Sequence, residues 1–306
     1  MTFTDSQGRL YPAAAFLLAV LLSGVAFFVC GYFAGAVAGE HPLRFEVVFR
    51  TCLAVALLGG YSWLLNVANF VESRRLAAQG FPTSPGWLRQ LLAGFALAFA
   101  LVTIAVVVVA ILGKLSFRIA WGPHSFSHVV FVVIALLAGS LAEEIMFRGY
   151  PFQRLVEAIG AGGAVLVFSA LFALAHILNP GATLWGLINT VVIGVMLSLA
   201  YLKTRALWLG WSFHFAWNLT LGLIFGLPVS GIRLFNIVTH TTTSGPVWLT
   251  GGSYGIEASL PGAAVVVLAL FLTWRVPFRR LGSPLMASSS DEVVTPAPAD
   301  VTTSTH

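Results

Sequence analysis

Charge is what this sequence is short of. Only 9% of its 306 residues are Asp, Glu, Lys or Arg, while 58% are hydrophobic and the mean hydropathy is +0.92. So little polar surface cannot cover a water-soluble globule, and the chain belongs in a membrane. Cysteine is scarce too: Cys30 and Cys52 lie in the first two apolar runs and form neither a disulfide framework nor a metal-ligand spacing, so they read as packing residues. No His-Glu-x-x-His helix occurs, and neither Ser140 nor Ser212 occupies a nucleophile elbow. No internal repeat is visible, which weighs against a transporter built from inverted repeats.

What is present is a series of greasy runs. A spanning helix needs about 20 mainly apolar residues, and such runs fall at roughly 10–38, 50–71, 90–113, 127–149, 161–178, 183–202, 207–229 and 259–276, predicting an all-α polytopic protein with about eight transmembrane helices. Arg9 and Ala36-Val37-Ala38 imitate a signal peptide, but the first run is too long for one and is read as a retained helix. The net charge of +5 does not indicate nucleic acid here, because the basic residues sit mostly between the runs, where they set orientation. With both termini cytoplasmic, the inside segments hold Arg9, Arg74, Arg75, Arg89, Arg148, Arg154, Lys203, Arg205, Arg275, Arg279 and Arg280. Only Arg44, Arg50, Lys114, Arg118 and Arg233 then fall outside. Residues 1–282 form the membrane domain, and residues 283–306, rich in Ser, Thr, Pro and Ala, are expected to be a disordered tail. The long polar loop 230–259 has no role that can be read.

An ionisable side chain inside a span costs about 2.5–3.5 kcal/mol on insertion scales, so each is a functional candidate. They are Glu143, Glu144 and Arg148 in run four, His176 in run five and His214 in run seven. Residues four apart share a helix face, so Glu144 can pair with Arg148, while Glu143 points about 100° away from Glu144. "FALAH" likewise aligns Phe172 with His176, and "HFAWN" aligns His214 with Asn218. The turn "GAGG" at Gly160 to Gly163 lies about midway between Glu143 and His176, so an antiparallel hairpin levels the two, given continuation through a kink at Pro151. Arg154 and Glu157 then rise out of the lipid. His176 falls next to the Asn179-Pro180-Gly181 break, which requires the end of run five to line a cavity or be buried in protein. Gly139 and Ser140 are small enough to let another helix approach.

Each feature also has a plainer reading. Glu144 and Arg148 could be a neutralised anchor, and the histidines could be interhelical hydrogen-bond donors. His124 and His128 share a face but sit beside Trp121 at an expected interface, where packing is favoured over a metal site. Asn66, Asn69, Asn189 and Thr190 could line a cavity or bond across helices. The Asn218-x-Thr220 sequon lies in an apolar run and is not expected to be glycosylated.

Together the polar groups supply a base, a proton carrier and oxyanion donors, the parts for hydrolysing an acyl bond with activated water. A carboxylate beside another and partly desolvated is suited to the base, which selects Glu143. His176 orients the water or carries its proton, and His214 with Asn218 stabilises the oxyanion. Two histidines and a glutamate could alternatively hold zinc, though no cofactor is expected.

Three motifs in order, "EEIMFR" as Glu-Glu-x-x-x-Arg, "FALAH" as Phe-x-x-x-His and "HFAWN" as His-x-x-x-Asn, resemble the CAAX prenyl endopeptidase and bacteriocin-processing (CPBP, or Abi) family of intramembrane proteases. The match runs from Leu137 to Asn218. The resemblance implies an eight-helix fold with a CAAX-endopeptidase-like core and cleavage by glutamate-activated water at a site reached from the cytoplasmic side. Its catalytic roles fall on Glu143, His176, His214 and Asn218, supported by Glu144, Arg148 and Phe172. A membrane-associated protein or peptide in the lipid bilayer is the implied substrate, and the composition suits a bacterial cell membrane. The alternatives are a non-catalytic scaffold or bacteriocin-immunity protein and, behind it, a proton-coupled transporter.

Overall fold

The computed structural model describes residues 10–67, 75–112, 114–122 and 125–281. The elements are α1 (Pro12–Ala38), α2 (Pro42–Val67), the single turn α3 (Arg75–Ala78), α4 (Trp87–Leu112), β1 (Lys114–Ile119), α5 (Ser125–Arg148), α6 (Tyr150–Leu174), α7 (Leu184–Thr204), α8 (Trp208–Leu219), β2 (Thr239–Ser244), α9 (Val247–Thr250) and α10 (Leu260–Arg275). The chain is an all-α polytopic membrane protein, and each of the eight apolar runs holds a helix. Among the described residues, span length and apolarity are met by five stretches, one of them the 50-residue Ser125–Leu174 that comprises α5 and α6. The short members are α8 and α10. α8 relaxes after Leu219 into a π turn over Thr220–Ile224, so the run expected to reach 229 stops early, before Gly226 and Pro228.

Small residues decide how closely the helices approach. Ala15, Ala19 and Ser23, then Cys30, Ala34 and Ala38, recur every four residues and form the buried face of α1. Phe28 and Tyr32 point outward at 77% and 85% exposure, as lipid-facing side chains should. With no hydrophobic drive between helices in lipid, such small-residue faces gain stability from dispersion contacts. At the α4–α8 crossing a Cβ on Gly94 would stand 2.3 Å from the Leu209 carbonyl oxygen, and on α7 a Cβ on Gly194 would stand 2.9 Å from Ser169 Cα. Both crossings are set by the missing side chain.

Several expectations change here. The hairpin does reverse at Gly160, whose φ of 82° costs a glycine little. However, the helix does not run through a kink at Pro151: it breaks at Gly149, and Pro151 sits in the first turn of α6, where its missing N–H removes no bond. Arg154 does not rise into water but is 1% exposed, paired to Glu157 at 2.6 Å. Arg50 is not a loop charge, because α2 begins at Pro42 and carries it inside the protein. Loop 230–259 contributes β2, which pairs antiparallel with β1 from Lys114↔Ser244 to Ile119↔Thr239, a small sheet the all-helical reading did not contain. Its β-branched threonines suit that pairing. The expected tail 283–306, Arg9, Arg74, Asn69 and His124 lie outside the described residues.

α5 is shared by two cores. Its Val132, Ala135 and Leu136 pack into a cluster with α4, α7, α8 and α10, and its Ala142 and Ile145 into one with α1, α2 and α6. The two glutamates sit where these cores meet.

Candidate functional site

Beginning with α5, the two acids have opposite fates. Glu144 is fully buried and its Oε1 accepts from Arg148 Nη1 at 3.1 Å and from His214 Nδ1 at 2.9 Å. Arg148, also 0% exposed, places Nη2 3.5 Å from the Gly194 carbonyl and its guanidinium 4.3 Å from the Phe172 ring centroid. A buried ion pair survives only when further partners satisfy it; both bonds fall on Oε1, while Oε2 is buried without a partner among the described residues, and the Arg148 pairing, behind the cavity wall, disfavours Glu144 as the base. Glu143, one position earlier, faces the other way. It accepts no hydrogen bond from the described residues, and its Oε2 stands 3.6 Å from His214 Nε2.

His214 therefore lies between the two carboxylates, its ring oriented by Glu144. Accepting the Nδ1 proton at Glu144 leaves Nε2 as the atom that meets the cavity and Glu143, the tautomer control seen when a carboxylate backs an imidazole. Asn218, one turn further along α8, lines the same cavity. Ser212 is not available as a nucleophile, since its hydroxyl donates to the Leu209 carbonyl at 3.2 Å, and Ser140 donates to Leu136 at 2.8 Å.

The end of α6 explains why Phe172 and His176 go together. After Leu174 the chain tightens, and His176 N–H donates to Ala173 O rather than to Phe172 O. The Phe172 carbonyl, one of the acceptors left over at a helix C-terminus, takes His176 Nδ1 at 2.7 Å instead. This fixes the proton on Nδ1 and leaves Nε2 as an acceptor. The Phe172 ring lies 4.8 Å from that imidazole and 6.0 Å, edge-on, from His214. It spaces the two histidines while Arg148 covers it.

These groups border a cavity of about 320 Å³, large enough for a short extended peptide segment. Glu143, His176, His214, Asn218 and Phe172 all line it, so the residues expected to converge do share one chamber, with Glu144 and Arg148 behind its wall. Among the described residues no group of three or more His, Cys, Asp or Glu side chains is arranged to hold a metal ion. His128 and Asn66 are exposed, away from this chamber. Asn189 is not a cavity donor: its amide donates to the Glu257 carbonyl at 2.9 Å, whereas Thr190 lines the cavity and donates to Gly186 O at 2.9 Å.

Sequence reasoning missed the far wall. Loop 230–259 folds over the chamber, bringing Ser230, Phe235 and Glu257 to its lining. Glu257 takes Trp217 Nε1 at 2.9 Å on one oxygen, and on the other the Ser230 hydroxyl at 3.1 Å together with the Ser230 backbone N–H. Ser230 has φ 46°, a costly conformation for a non-glycine, and Glu257 holds both of its donors. The available signal was the single glutamate in an otherwise acid-free loop.

Burial raises the Glu257 carboxyl above the ordinary glutamate range; bonds from Ser230 and Trp217 and the charge of His176 oppose this without cancelling it. A raised folded-state value means that the contribution to stability is complete below the unfolded value of about 4.3 and is lost as pH rises through the folded one. The unfolding temperature of detergent-solubilised protein, taken as the difference between wild type and Glu257→Gln, should decline across that interval. A pH-independent difference would contradict it.

A family model described as type II CAAX prenyl endopeptidase Rce1-like matches residues 125–220. That segment holds all three motifs and α5 through α8, but not α2 or the far wall. Comparisons with curated proteins and with solved structures found no match.

Proposed function

From the premise that residues 125–220 carry the pattern of the Rce1-like type II CAAX prenyl endopeptidases, consistent with the CPBP family, we propose that this protein is an intramembrane endopeptidase. It hydrolyses a peptide bond of a membrane-associated protein or peptide with water activated by Glu143. The observation that carries this reading is the contrast between the two acids: Glu144 is buried with its Oε1 bonded to Arg148 and His214, while Glu143 lines the cavity, its side chain 32% exposed, 3.6 Å from the imidazole.

The steps follow from the groups in place. The Glu143 carboxylate takes a proton from a water molecule as the water oxygen attacks the scissile carbonyl carbon. His214 in its imidazolium form, with Nδ1–H held by Glu144, donates Nε2–H to the oxyanion, and the Asn218 amide donates alongside. Arg148 and His214 balance Glu143 and Glu144 in charge, so the cluster is neutral as a whole and tolerable in low dielectric. The proton then passes from Glu143, by way of His176 Nε2, to the amine nitrogen as the C–N bond breaks. The route uses no metal; zinc at Glu143 and the two histidines is the competing chemistry.

A non-catalytic scaffold is a weaker account, because Glu143 contributes no hydrogen bond to packing among the described residues. The working location is a bacterial cell membrane with both termini cytoplasmic, and no nucleic-acid partner. Moving Arg50, Arg148 and Arg154 out of the loop charge count leaves the inside excess in the same direction.

Full-length protein in lipid nanodiscs, given a panel of acyl-anchored peptides, should release cleavage products at a rate unaffected by prior treatment with a strong zinc chelator. His176→Ala should lower that rate by about 10²–10⁴-fold. Chelator-sensitive activity restored by added zinc would replace the glutamate-only route, and equal rates for wild type and His176→Ala would end the assignment of His176.

A further inference from the structure

Arg50 belongs to none of the three motifs and lies outside the matched segment, yet it lines the same cavity as Glu143. It projects from α2 with its side chain 15% exposed, and its Nε is paired to Glu46 one turn earlier on the helix. The rest of the guanidinium lies across α5 at Gly139: a Cβ there would stand 2.2 Å from Nη1 and 3.1 Å from Cζ. Gly139 is thus a cradle for this side chain where α2 packs against α5. Phe235 from the far wall covers the other side, its ring centroid 5.4 Å from Cζ.

Two features make this more than an anchor. First, no acceptor among the described residues reaches Nη1 or Nη2, so the outward fork of the guanidinium is unused. Second, Gly139 is four residues before Glu143 on the same helix face, which puts that fork about one turn, or about 5–6 Å along the helix, from the base. Arg50 is near enough for its charge to act on Glu143. A planar, permanently charged fork with free donors in a water-poor chamber matches the two oxygens of a carboxylate, which it can bind bidentately.

We infer that Arg50, cradled by Gly139, is a substrate subsite that binds a carboxylate close to the scissile bond, supplied either by a chain terminus or by an acidic side chain. The inference rests on the peptidase reading and adds a selectivity to it: among otherwise equal peptides, the anionic one is held. A headgroup phosphate from the bilayer is the competing occupant. It is disfavoured because the fork sits beneath Phe235, inside a chamber walled by the loop.

The experiment uses full-length Glu143→Gln protein in phosphatidylcholine nanodiscs, so that binding is read without turnover. Each acyl-anchored peptide of the panel is prepared as a C-terminal acid, as a C-terminal amide, and as the amide with one internal Asp. At least one anionic form should bind about tenfold or more tightly than its neutral counterpart, and which form does so identifies the source of the carboxylate. Adding Arg50→Gln should reduce that preference to less than twofold, with neutral-peptide affinity unchanged, and Arg50→Lys should restore part of it. Gly139→Ala, which displaces the guanidinium while keeping its charge, should lose the preference as well. Equal affinity for acid, Asp and amide forms, or an equal loss for all three in Arg50→Gln, overturns the inference. So does disappearance of the preference when phosphatidylglycerol replaces part of the bilayer, which would assign the fork to a lipid headgroup. An intact preference in a protein whose wild type cleaves nothing would count against hydrolysis, not against the subsite.

Discussion

Glu143→Gln should abolish cleavage of every tethered peptide the wild type cuts, by about 10³-fold or more, while destabilising the protein clearly less than Glu144→Gln does. The two halves of this expectation have separate causes. A glutamine cannot take the proton of the attacking water, and general-base catalysis contributes typically about 10²–10⁴-fold. The stability loss should be the smaller because Glu143 forms no hydrogen bond with the described residues and is partly open to the cavity: an isosteric amide removes no packing, only a partly exposed charge from the cluster. Product formation by mass spectrometry and unfolding temperature, measured on one preparation, check both. Activity lost only in proportion to lost folded protein would turn the reading back to a scaffold.

The buried pair behind it predicts the reverse pattern. Glu144→Gln and Arg148→Met should each destabilise the protein by about 3–5 kcal/mol, because the first leaves the Arg148 charge without its ion-pair partner and the second leaves Glu144 with His214 alone, at essentially zero exposure. The double variant should cost clearly less than the two singles added, since no orphan charge remains. Arg148→Met also gives up the contacts to the Gly194 carbonyl and the Phe172 ring, so it should be the costlier single change. Reversible unfolding in detergent supplies the double-mutant cycle. Strict additivity would show that Glu144 and Arg148 are not coupled. Glu144→Gln protein that remains folded should in addition lose turnover, because His214 loses the acceptor that sets its tautomer.

How much of this was legible beforehand varies residue by residue. That Glu143 and Glu144 point different ways, with Glu144 on the face of Arg148, follows from the 3.6-residue period, and the geometry has that form. The proximity of His176 followed from the midpoint at Gly160 to Gly163, though the break at Gly149 did not, because Pro151 is as compatible with a helix start as with a kink. The Phe172–His176 pairing was visible as a shared face; its cause, a carbonyl released by the tightened turn after Leu174, depends on where the helix ends. Arg50 was misplaced for a similar reason: hydropathy marks the greasy part of a helix and not its polar first turns, so α2 seemed to begin eight residues late. Glu257 lay beyond pattern reading altogether, since a polar loop carries no period that tells which of its residues folds inward.

By itself, then, the order of amino acids dictated a bundle of membrane helices and the set of side chains to which we assign the proposed hydrolysis. Both depend on local quantities: apolar run length against bilayer thickness, and helical spacing of the few charges that lipid makes expensive. Only the tertiary structure decided that Glu144 is tied up and Glu143 is not, that loop 230–259 closes the chamber, and that Arg50 enters it across Gly139. These outcomes depend on contacts between segments far apart in the chain, where close packing at glycines and the need to neutralise buried charge select one arrangement among many.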